Sequence, residues 1–388
     1  MSGPNVEKPR AYARAKLWLA VISGALELAA AVVFLGSGGS EALATRLAGH
    51  TQHITIVVCT YVVASLIGLQ ILSLPLDWWG RHLEIRFELN RQALGSWLFD
   101  ECKGLALGLV LGVLGAEVLY ALLRATPAHW WWWAWGVFTA ITVVLAQLGP
   151  VILLPLFFKL RQMSEIEEPD ATMVHRLQAT YARLRAENPK LPRLHGIFEW
   201  KLGEKSAKAN AALTGLGPTR RVIISDTLLE GAAPEEIEAV FVHELGHHVH
   251  GDIWRGIAFQ SALTLLGFWL ADVTLRALSP ALGLRGIADI AGLPLVVIVF
   301  GVLGLLLMPA SHAFVRRMER RADDYSFTVL GTAQPLIAGL RRLAEKNLAE
   351  VDPPRWKEWL LYSHPSIATR IRRGRTWQAA HGAPLGPG

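Results

Sequence analysis

Six apolar stretches, at roughly 17–36, 54–76, 104–123, 130–158, 257–278 and 290–310, are each long enough to cross a bilayer, which takes about 20 residues of helix. Hydrocarbon offers no partner to a bare peptide group, so such stretches must close their own hydrogen bonds as helices. With 52% of the 388 residues hydrophobic and 18% charged, the chain reads as a mainly α polytopic membrane protein with about six transmembrane helices. The first stretch follows "KPRAYARAK", as a signal peptide would. Its apolar run is too long for one and no secreted domain follows, so an uncleaved span is expected.

Basic residues set the orientation. Lys8, Arg10, Arg14 and Lys16 precede the first span, Arg81, Arg86, Arg91 and Lys103 follow the second, and Arg316, Arg317, Arg320 and Arg321 follow the sixth. The alternate loops hold only Arg46, Arg124, and Arg276 with Arg285. The asymmetry puts both termini on the cytoplasmic side. The expected organisation is a cytoplasmic arm over 1–16, then four transmembrane helices over 17–158 with a cytoplasmic loop near 77–103. A cytoplasmic catalytic part over 159–256 follows, two more spans over 257–310, and a cytoplasmic C-terminal part over 311–388. The net charge of +6 therefore belongs to membrane flanks and lipid headgroups, and no nucleic-acid partner is expected.

Smaller features complete the membrane reading. "HWWWWAW" looks like an interfacial anchor. Glu27, Glu117 and Asp272, in or near the spans, should face a bundle interior or a wet cavity. Cys59 and Cys102 form no CxxC pair and read as buried or interfacial thiols. The Gly/Pro-rich tail "HGAPLGPG" is expected to be disordered.

The polar segment begins with a helix around "EEPDATMVHRLQATYARLRAENP". "LHGIFEW", "NAALTGL" and "RRVIIS" then read as strands of a small β-sheet, with "GLGPT" as the turn between the last two. Pro234 suits the first turn of a following helix, with Glu235 and Glu236 at its positive end. Ile237, Val240, Phe241 and Leu245 form its buried stripe.

That helix carries "FVHELGHHVHGD". His243 and His247, four apart, project their imidazoles toward one point, as a zinc ion requires. Glu244 points about 100° around the helix, placed to take a proton from a water that the ion acidifies. His248 faces elsewhere, and His250 lies about 10 Å along the axis from His243, so neither joins the same ion. A third ligand of the HExxHxxGxxH kind is excluded, because His250 and Ile253 occupy its glycine and histidine positions. Between Asp252 and the end of the sixth span the only acids are Asp272 and Asp289, near the opposite membrane face. Glu319 in "VRRMERRADDYS" is next and is the expected third ligand. Asp323, four residues on, would orient a ligand histidine or trade protons. The alternative reading makes both an arginine-paired surface face.

In ordered combination, "SAKANAALTGL" before "RRVIISDTLL", "HELGHH", "RRMERRAD" and "YSHPS" resemble the integral-membrane CAAX prenyl protease family of zinc endopeptidases, the type named for yeast a-factor maturation. The likeness covers most of residues 54–375. It implies a zincin-like, gluzincin-type catalytic part with His243, His247 and Glu319 on one Zn2+ per chain, Glu244 as base, and Asp323 as proton donor. It also implies that Asn210, Ala211 and Ala212 form the edge strand that pairs with an extended peptide or protein substrate, lipidated or plain. His364 and Arg370 match residues near the substrate carbonyl and its oxyanion. From the residues alone, His364 would be an interfacial histidine and Arg370 a solvated helix charge. The family's eukaryotic members have seven membrane helices, against six counted here. The expected activity is a membrane-embedded zinc metalloendopeptidase of a bacterial cytoplasmic membrane. Its rivals are a heat-shock-type quality-control protease and a non-catalytic scaffold with a vestigial zinc site.

Overall fold

The computed structural model describes residues 4–163, 171–189, 191 and 193–381; the tail from 382 onward, and the start of the "EEPDATMVH" segment, lie outside them. The chain runs through α1 (Pro4–Gly36), α2 (Gly39–Ala48), α3 (Ile54–Arg86), α4 (Leu94–Ala125), α5 (Trp130–Leu148) and α6 (Leu154–Phe157). It continues with β1 (Leu160–Gln162), α7 (Ala171–Glu187), β2 (Gly196–Trp200), β3 (Ala211–Thr214), β4 (Arg221–Ser225), α8 (Asp226–Leu229) and α9 (Pro234–Val249). Then come α10 (Asp252–Leu278), α11 (Leu293–Leu330), α12 (Gln334–Lys346), α13 (Arg355–Leu361) and α14 (Ile367–Ala380).

Six helical stretches among the described residues have the length and apolarity to span a membrane, at the six places the hydropathy indicates. A π-helical turn at Gly149–Leu153 joins α5 to α6, where Pro150 and Pro155 each remove a backbone donor. The helices run past the apolar stretches. The expected arm is the first turns of α1, and the loop near 77–103 shrinks to residues 87–93. Polar contacts hold the overhangs. Lys8 Nζ donates to Glu88 at 2.7 Å, and Tyr12 Oη and Lys208 Nζ both donate to Glu84, at 2.5 and 2.8 Å.

Inside the bundle, "HWWWWAW" divides its labour. Trp132 and Trp133 are exposed, as anchors would be, but Trp130 is fully buried and donates to Asp272 at 2.6 Å. A buried indole needs an acceptor for its N–H, and Asp272, also bonded to Arg276, supplies one. Glu27 lines a cavity of about 570 Å³ between α1, α3 and α11. Glu117 is half-buried, and its Oε1 has no partner among the described residues. Cys59 is half-buried, Cys102 is exposed, and both are free thiols.

The catalytic part holds a four-stranded sheet in the order β1–β2–β4–β3. β2 and β4 are parallel; β1 and β3 pair antiparallel on the outside. β1 was not foreseen, because three residues carry no alternation to read. α9 is buried more widely than its expected stripe. Ala239 and Val242 join Ile237, Val240, Phe241 and Leu245 in a core built with the sheet, α7, α11 and α12. Pro234 begins the helix, and Glu236 closes its first turn by accepting from the Ala233 N–H at 3.2 Å.

Candidate metal centre

α9 and α11 build the centre by close approach. A Cβ at Gly246 would stand 3.0 Å from the Ala322 Cα and 3.2 Å from the Tyr325 Cβ. Only a glycine inside the HExxH run lets the two backbones come this near. Glu319 on α11 then faces both histidines, with its oxygens 3.5 Å from His243 Nε2 and 3.4 Å from His247 Nε2. One donor atom from each of the three lies within 4.8 Å of the others. A tetrahedral ion with arms of about 2.0–2.1 Å sets its donors roughly 3.4 Å apart, so this trio fits zinc.

Each imidazole is oriented from behind. His243 Nδ1 lies 3.0 Å from Asp323 Oδ1, and His247 Nδ1 lies 2.9 Å from Asp252 Oδ2. A carboxylate on Nδ1 fixes the tautomer that leaves the Nε2 lone pair free for a metal. Burial opposes charge on both rings, yet Asp323 and Glu319 raise His243, while Asp252 and Glu319 push His247 up to about 10.

Glu319 and Asp323 are buried, not an exposed charged face. Arg370 is buried as well, contrary to a solvated helix charge. Its Nε and Nη2 grip Asp323 at 3.0 and 2.5 Å, leaving Nη1 3.8 Å from Glu319. His364 is 59% exposed and places Nε2 3.2 Å from Glu319 Oε1. Its segment is clasped to α11, where Arg316 donates to the Glu358 and Tyr362 carbonyls and His312 bonds the Leu360 carbonyl. His248 and His250 stand outside the cluster. His248 is buried, its Nε2 without a partner among the described residues, and His250 Nδ1 meets the Gly246 carbonyl at 2.7 Å. Burial, with Arg220 nearby, holds His248 down at about 4.

Glu244 is not among the three donors. Its Oε2 accepts the backbone N–H of Leu213 at 2.9 Å, so the carboxylate rests on the outer edge of β3. Strand parity then sorts the edge. The Asn210 carbonyl accepts from Ser225, so Asn210 and Ala212 turn their backbone groups to β4. Ala211 and Leu213 present theirs to the open side. Leu213, like Asp252, is a residue that sequence reading missed. The only available hint for Asp252 was an acid just past the glycine that ends α9.

The surroundings match known proteins over almost the whole chain. The family model described as CAAX prenyl protease N-terminal, five membrane helices, matches residues 1–159, and the model for peptidase family M48 matches 172–378. Within 1–159 four helices are of spanning length, with the ten-residue α2 between the first two. The uncharacterized metalloprotease YhfN of Bacillus subtilis is 27% identical over 365 residues, covering 93% of this chain and 83% of its own. CAAX prenyl protease 1 of Saccharomyces cerevisiae is 26% identical over 403 residues, covering 94% and 84%. The crystal structure of Ste24p from S. mikatae superposes with a TM-score of 0.83 at 22% identity, over 96% of this chain and 89% of that one, and so shares the fold. With HExxH helix, buried glutamate and membrane bundle in this arrangement, the chain belongs to peptidase family M48 and is a CAAX prenyl protease-like multi-pass membrane protein.

Proposed function

We propose that the chain is a zinc endopeptidase that hydrolyses peptides presented as a strand along β3. The observation that carries this is the Glu244–Leu213 hydrogen bond, which brings a carboxylate outside the donor trio to the edge where a peptide backbone would lie. A purely structural zinc site has no need of such a group. His243, His247 and Glu319 would hold one zinc ion per chain. Zinc, when bound, supplies Lewis acidity for polarising the scissile carbonyl and acidifying water.

The residues supply the rest. Ala211 and Leu213 offer backbone groups that hold an extended peptide in register, as strand addition does elsewhere. Glu244 takes the proton of the attacking water and returns it to the leaving amine. His364, exposed over the cluster, and the Nη1 of Arg370, 3.8 Å from Glu319, would meet the negative charge that develops on the carbonyl oxygen. Asp323 keeps His243 and Arg370 in position and is the second candidate for carrying a proton.

The basic-rich ends of the spans meet the catalytic part, so its segments share the side that the positive residues favour, the cytoplasmic one. The relatives' names make prenylated C-terminal peptides the substrate class proposed. Incubating purified zinc-loaded protein with a prenylated CAAX peptide and its plain counterpart, with mass-spectrometric identification of products, tests this. The expected result is endoproteolysis of the prenylated peptide, lost on chelation. Intact peptides of both kinds would refute the assignment.

A further inference from the structure

A second polar site lies beside the metal centre, on the outer side of α11. Arg255, Arg317, Arg320, Arg321 and Arg373 surround a cavity of about 420 Å³ with Phe314 and Met318. One carboxylate, Asp324, shares its wall, and Arg373 already holds it at 2.9 and 2.5 Å. Arg317 and Arg320 have no ion pair or hydrogen bond among the described residues. Arg321 gives Nη2 to Asp252 at 2.8 Å, while its Nε is buried without a partner. Five guanidiniums against two engaged carboxylates, Asp324 with Arg373 and Asp252 with Arg321 and Arg255, leave an excess of positive charge, and the donors of Arg317 and Arg320 still lack an acceptor.

Depth indicates what supplies the acceptor. About 20 helical residues cross the hydrocarbon core, so a span entering at Leu293 leaves it near residue 312. Arg317 to Arg321 then lie roughly 7–13 Å beyond, at and just outside the phosphate level. Arg255 sits in the first turn of α10, beside the exposed Trp254, a residue type that favours the interface. Below the arginines, Phe314 stacks on Phe259 with centroids 4.5 Å apart, an apolar floor continuous with the spans.

We propose that this pocket binds the phosphate of an anionic phospholipid headgroup, its acyl chains lying against the apolar floor. Guanidinium forks pair with phosphate oxygens in bidentate fashion, and Arg317 and Arg320, which hold no carboxylate among the described residues, are available to do so. Because Arg321 also holds Asp252, which contacts His247, two side chains link the lipid to the metal cluster.

The test is native mass spectrometry of the full chain released from detergent containing phosphatidylglycerol or phosphatidylcholine, paired with melting temperature in the same mixtures. Wild-type protein should retain phosphatidylglycerol selectively and melt higher in its presence. Arg317→Gln with Arg320→Gln, both outside the catalytic cluster, should weaken retention about tenfold or more and abolish the melting shift. Arg10→Gln with Arg14→Gln, which removes equal charge from α1, should leave both unchanged, and inorganic phosphate alone should not reproduce the shift. Equal retention by wild type and the Arg317/Arg320 variant, equal loss in the α1 variant, or an equal shift with inorganic phosphate would each overturn the proposal.

Discussion

The backbone N–H of Leu213 donates to Glu244 Oε2 at 2.9 Å, joining the open edge of the sheet to the carboxylate of the HExxH helix. Leu213→Pro removes that N–H without touching the ladder to β4, because residue 213 turns its backbone outward. One lost hydrogen bond to a charged group is worth about 1.5–3 kcal/mol, so kcat/KM should fall roughly ten- to a hundredfold while the protein stays folded. Ala212→Pro, one residue away, should instead break the sheet. Proteolytic stability beside peptide turnover separates the two; equal behaviour would refute the parity assignment.

Asp252 Oδ2 lies 2.9 Å from His247 Nδ1, where a carboxylate favours the metal-facing tautomer. Asp252→Asn should weaken zinc binding about ten- to a hundredfold, as loss of such a carboxylate partner typically does. Chelator competition measures this directly. Unchanged affinity would show that Asp252 does not position the imidazole.

Arg370 spends two nitrogens on Asp323 and has one left for the site. Arg370→Ala should lower turnover on the order of a hundredfold. It also strands a buried carboxylate behind His243, so zinc affinity and melting temperature should fall with it. A group acting only on the oxyanion would leave both unchanged, and that result would remove the positioning role.

His248 gives a pH signature independent of the metal. The folded chain refuses its proton until about pH 4, whereas the unfolded chain accepts one near the ordinary value of about 6.5. The unfolded state therefore binds more protons between those values, and stability should fall as pH drops through that window. His248→Gln should flatten this part of the stability profile in chemical denaturation of the metal-free protein. An unchanged slope would show that other groups dominate it.

Much of this was legible in sequence because it depends on local periodicity. Four-residue spacing put His243 with His247 and Glu319 with Asp323, and apolar length marked six spans. Leu213 and Asp252 escaped because their roles come from tertiary geometry. The first depends on which strand face pairs with β4. The second depends on the left-handed Gly251, φ 66°, which swings the chain from α9 into α10 and brings Asp252 back beneath His247. The burial of Arg370 escaped likewise, since a basic residue on a polar helix gives no sign that a carboxylate on α11 awaits it. Trp130 shows the reverse error, a core residue hidden within an anchor-like run.

The role proposed for Glu244 is to act on water without holding the metal. Glu244→Gln should retain one zinc per chain by elemental analysis while peptide cleavage falls by at least about a hundredfold relative to wild type. Loss of zinc in this variant, or turnover near wild type with zinc intact, would contradict it.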